Sequence, residues 1–90
     1  MSISEISGTF EATGQSSSVA IQASFNVSLS GFGVATVAIE RSFDSGSTWV
    51  VVESFAADVE RRGLEPEDGI LYRVNCTAYT SGTIAYRISR

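Results

Sequence analysis

Ninety residues leave room for one domain, and a chain this short buries only about 60–65% of the surface its unfolded form exposes, so its core is thin. A formal net charge of −4, with no lysine and with arginines scattered apart from Arg61-Arg62, excludes the concentrated positive surface by which nucleic-acid binders displace counterions. Histidine is absent, which removes the usual general base near neutral pH and the commonest metal ligand, and Cys76 alone can form neither an intrachain disulfide nor a thiolate metal cluster.

The remaining composition, 43% hydrophobic and 18% charged, is that of a globular chain. No stretch approaches the roughly 20 apolar residues of a membrane span, and the start lacks the basic and apolar regions of a signal peptide. The expectation is a soluble protein made in a cytoplasm, without nucleic-acid or membrane partners.

In chain order, residues 1–7 (MSISEIS) read as an N-terminal arm, and residues 8–90 as one β domain. Ile3 and Ile6 are unexplained if that arm floats in solvent, and we expect them to dock on a neighbouring copy or another surface. "TGQSSS" is a turn. In "FNVSLSG", Phe25, Val27 and Leu29 alternate with Asn26, Ser28 and Ser30, the period of a half-buried strand. After "SGFG", Ala35, Val37 and Ile39 share one face, and Thr36, Ala38 and Glu40 the other. "FAADVERRGLEP" reads as an irregular strand. "EPEDG" is a turn, with Glu65, Glu67 and Asp68 solvated around Pro66 and lacking the spacing of a calcium loop.

Tyr72, Val74 and Cys76 then alternate with Arg73, Asn75 and Thr77, and Ile84, Tyr86 and Ile88 with Ala85, Arg87 and Ser89. Inward residues must face inward residues, so a three-residue Thr80-Ser81-Gly82 loop would set Cys76 against Tyr86 and Val74 against Ile88 in a hairpin from Ile70 to Ser89. Seven or eight short strands with tight connections point to an all-β, antiparallel β-sandwich, Ig-like or jelly-roll-like.

One motif stands out. "SFDSGSTW" (Ser42–Trp49) satisfies S-x-D-x-G-x-T-W, the Asp-box hairpin of sialidase-type propellers. Each constrained position has a structural task. Asp44 accepts N–H bonds across the loop, Gly46 supplies a backbone conformation closed to most residues, Ser42 and Thr48 add hydroxyls, and Trp49 closes over the base. None needs a substrate. A sialidase would also require several such hairpins, an arginine cluster and a Tyr–Glu pair, so the box reads as a turn and the chain as a non-enzyme without catalytic, cofactor or metal residues. Glu40 and Glu53 could meet on adjoining strands, but nothing marks a pocket there. Phe32, Trp49, Phe55 and Tyr79 are the aromatics whose burial the pattern leaves open.

"GTFEATGQSSSV", "NVSLSGFGVATVAIERSFDSGSTWVVV" and "EPEDGILYRVNCTAYTSGTIAYRIS" together resemble a family of small virion-associated proteins of tailed bacteriophages, over nearly the whole chain from Gly8. The resemblance implies a β-sandwich structural protein on the capsid exterior, a decoration or cement protein. It would bind the major capsid protein as a homotrimer where capsid hexamers and pentamers meet, and so reside in the virion. Ser45 stands where the family often has Gly, and the segment from Glu53 to Pro66 is shorter than in many relatives. The alternatives are a tail or adaptor component of the virion and a carbohydrate-binding β-sandwich, the last of which calls for coplanar exposed aromatics on one face.

Overall fold

A computed structural model of the chain describes residues 5–90, so Ile3 lies outside the described residues. These residues form antiparallel β structure with no helix among them: β1 (Glu5–Phe10), β2 (Gly14–Gln15), β3 (Val19–Ser42), β4 (Val50–Phe55) and β5 (Val59–Ser89). The hydrogen-bonded order is β1-β5-β3-β4, with β2 added against β5. β1 and β4 are the outer strands of that order.

Seven or eight short strands were expected and five are found, because three turn signals, "SGFG" in β3 and "EPEDG" and "TSG" in β5, bend or bulge a strand instead of ending it. β3 runs for 24 residues and β5 for 31. They bend together: Phe32 pairs with Gly82 and Val34 with Ser81, so the ladder passes through the bend. Gly31 (φ 79°) and Gly82 (φ 110°) make this possible. A Cβ on Gly82 would lie 2.4 Å from the Gly33 nitrogen, and one on Gly31 would lie 2.1 Å from the Thr83 carbonyl oxygen. Only glycine lets the two backbones approach so closely. At "EPEDG" the partner register jumps from Ile21↔Ile70 to Ala23↔Glu65, and Pro66–Gly69 bulge out between them.

The same bend overturns the expected Ile70–Ser89 hairpin. Cys76 lies between Gly14 and Val37, and Tyr86 between Gly8 and Leu29. Val74 faces Ile39, while Ile88 sits between Ile6 and Val27. Parity was respected, since inward residues still meet inward residues, but parity fixes a face and not a partner. The long β3 supplies neighbours to both halves of β5.

Alternation places the core. Phe25, Val27 and Leu29 point inward with Ile84 and Ile88, and Ala35, Val37 and Ile39 with Tyr72, Val74 and Cys76; all are buried in one cluster. Each fully buried aliphatic side chain contributes roughly 1.5–3 kcal/mol of transfer free energy. Rings fill the gaps: Phe10 stacks on Tyr86 and Phe25 tilts against Tyr72, both with centroids 4.8 Å apart. Phe32, Phe55 and Tyr79 are half-buried against this cluster. Residues 5–7, assigned to the arm from sequence, belong to β1, and Ile6 packs on the chain's own core opposite Ile88.

Candidate functional site

The loop between β3 and β4 is built around Ser42, which is fully buried at the end of β3. Its hydroxyl donates to Asp44 Oδ1 (2.8 Å) and accepts from the Gly46 N–H (2.8 Å). Asp44 Oδ1 also accepts the Thr48 N–H at 2.8 Å, and the indole Nε1 of Trp49 donates to the Gly46 carbonyl at 3.1 Å. Ser45 (φ 62°) and Gly46 (φ 93°) turn the chain through left-handed geometry. The Thr48 N–H, then the Ser42 and Thr48 hydroxyls, hold the Asp44 carboxyl below the usual carboxylate range. All five motif residues are thus spent on one another, and the loop's exposed apolar group is Phe43, 60% exposed.

Trp49 has a second contact. The Arg73 guanidinium lies over its ring, 4.2 Å from the centroid, while Arg73 Nε donates to Glu40 at 2.7 Å. Asn75 Nδ2 donates to the other Glu40 oxygen at 3.0 Å. This cover explains why Ala38 and Glu40, on the face opposite Val37 and Ile39, are buried as well. Glu40 and Glu53 do not meet: Glu53 pairs instead with Arg61 at 2.7 Å, and Arg61 lies over the Phe55 ring.

The acidic turn holds the largest departure from expectation. Glu65, expected to be solvated, is 1% exposed. Its Oε1 accepts from Arg41 (2.7 Å from a terminal nitrogen, 2.9 Å from Nε) and from the Tyr72 hydroxyl at 2.8 Å, and its Oε2 accepts the Glu67 N–H at 3.0 Å. Burial opposes the charge, but the Glu67 N–H, the Tyr72 hydroxyl and Arg41 together outweigh it and hold Glu65 below the usual carboxylate range. Burial first, then the hydrogen bond to Glu65 and the Glu65 charge, push Tyr72 up to about 12. The signal that sequence reasoning missed is Arg41, next in the inward series Ala35, Val37, Ile39: a cation at an inward position requires a buried anion. These groups form a structural clamp, with each donor matched to an acceptor.

Cys76 is buried, and burial raises its thiol. Among the described residues no group of three or more acidic or cysteine side chains is arranged to hold a metal ion. The outer strand β4 presents Val50, Val51 and Val52 in succession, each about half exposed at 45%, 53% and 50%. Between β4 and the first segment of β5 lies an apolar cleft of about 240 Å³ whose walls include Phe25, Val27, Val52 and Phe55.

No family model matches this sequence, and no curated protein matches it. A solved structure, the crystal structure of a Yersinia pseudotuberculosis-derived mitogen, is similar in fold: TM-score 0.54 at 14% identity, over 98% of this chain and 83% of that one. At that identity the likeness concerns the path of the backbone only.

Proposed function

We propose that this chain is a small β-sandwich of jelly-roll-like form that acts without catalysis as a decoration protein on a tailed-phage capsid, bound to the major capsid protein as a homotrimer. The sandwich reading is supported by how the pairing divides. Residues 23–30 of β3 lie between two segments of β5, 59–65 and 85–89, with β1 beyond the latter. Residues 34–42 lie instead between β4 and residues 71–81 of β5. Two sheets folded over one core produce such a division.

The observation that carries the functional reading is the β4 edge. A strand open on one side with three consecutive half-exposed valines, and Phe43 60% exposed in the loop before it, is a surface that soluble monomers usually guard with charge. Such an edge suits repeated weak docking, in which avidity accumulates over many copies. The phage resemblance of the sequence supplies the partner, and the mutually satisfied Asp-box removes the reason to read that motif as sugar chemistry. Purified protein added to phage heads stripped of decoration should co-sediment with them, and V51K should abolish retention while leaving the fold intact. Absence of co-sedimentation by the unaltered chain would reject the reading.

A further inference from the structure

The outward face of the sheet near β1 carries short polar side chains flanked by arginines. Register places Ser28 between Arg87 and Glu60, and Asn26 between Ser89 and Arg62. With Arg61, these residues line an open basin of about 500 Å³. Three of the chain's six positive side chains therefore border one basin, in a protein of net charge −4. Folding does not consume them all. Arg62 makes no ion pair among the described residues, Arg87 engages Glu5 through Nε alone, and the Asn26 amide forms no side-chain hydrogen bond among them. Glu60 accepts from Ser28 through Oε1 at 2.7 Å, leaving Oε2 open.

We propose that this basin binds a carboxylated sugar of the uronic-acid class within an acidic glycan. The Arg62 fork takes the carboxylate, as planar guanidinium groups do. Arg87 lies two strand spacings across and two residues along the sheet from Arg62, on the order of 12 Å, a span suited to a group two sugar units further along the glycan. Asn26 and the open Glu60 oxygen take ring hydroxyls. Glu60 decides between ligand chemistries: beside an anion with no hydroxyl to donate it is repulsive, whereas a sugar that carries both a carboxylate and hydroxyls uses both signs of the basin. No aromatic residue lines the basin, so a neutral sugar would lack its stacking platform. The site stands on these contacts and not on the virion reading.

The test is an NMR titration of the full chain at low salt with a hyaluronan tetrasaccharide, with neutral chitotetraose, inorganic phosphate and an oligoglutamate peptide as comparisons. The acidic tetrasaccharide should shift the amides of Asn26, Ser28, Glu60 and Arg62, and chitotetraose should not. R62A should weaken binding roughly tenfold. E60A should weaken the tetrasaccharide but leave phosphate unchanged or tighter. No shift with the tetrasaccharide, equal affinity for phosphate or the peptide, or indifference to R62A would overturn the proposal. R62Q, which keeps the stem and loses the charge, must reproduce R62A.

Discussion

Glu65 and Arg41 form an ion pair in which the carboxylate is 1% and the guanidinium side chain 28% exposed, 2.7 Å apart, at the end of an otherwise apolar inward face. Removing Arg41 strands the buried Glu65 carboxylate, whereas removing Glu65 leaves Arg41 a second partner, Glu67, at 3.1 Å. R41A is expected to lower the unfolding free energy by about 3–5 kcal/mol, the cost of leaving a buried charge without its partner, and E65A by less. Urea denaturation checks this. E65L with R41M, which removes both charges, should recover most of the loss.

The pair also sets an acid limit. The folded pKa of Glu65 lies below its unfolded value, so its contribution is fully present above about pH 4.3, the unfolded range for glutamate. It declines as pH falls below that point and is gone once the folded value is passed. Asp44 acts in the same direction from about pH 3.9. A thermal-unfolding series should therefore lose stability steeply below about pH 4, and E65Q should flatten the profile.

Tyr72 gives the alkaline counterpart. Its folded value of about 12 lies above the usual tyrosine value of about 10, so its contribution is complete below about pH 10 and is lost as pH rises towards 12. A phenolate absorbance titration should show one late component that Y72F removes. The same substitution leaves Glu65 one donor short and should cost about 1–3 kcal/mol in denaturation.

Two glycines with positive φ should respond unequally. At Gly46 an added Cβ meets only ordinary contacts, Trp49 at 3.7 Å and Leu71 at 3.8 Å, so G46A carries conformational strain alone, about 1–3 kcal/mol. At Gly82 the strain is joined by a 2.4 Å approach to the Gly33 nitrogen, and G82A should be the more damaging. Differential scanning calorimetry ranks them. In the loop itself, D44A should speed amide exchange at Thr48, whose N–H loses its acceptor.

Much of the fold was legible in the sequence. Period two marked Phe25, Val27, Leu29 and Ile84, Ile88 as inward, and they are buried. Pairing was not legible. The same alternation that set Cys76 against Tyr86 in a hairpin also permits its true neighbours, Gly14 and Val37, because both arrangements obey parity. Glu65 was misread because composition around Pro66 signals a turn, whereas its burial follows from Arg41, distant in sequence, and from Tyr72, which the bulge at Pro66–Gly69 brings back against it. Ala38 and Glu40 were hidden for a similar reason: the cover of Trp49 and Arg73 exists only once the Asp-box loop folds back.

The copy number of this protein in purified phage particles, relative to the major capsid protein, bears most directly on the proposed role. About one copy per capsid subunit is expected for trimers that decorate the shell. A handful of copies would move the protein to portal or tail, and absence from the particles would contradict the virion role altogether.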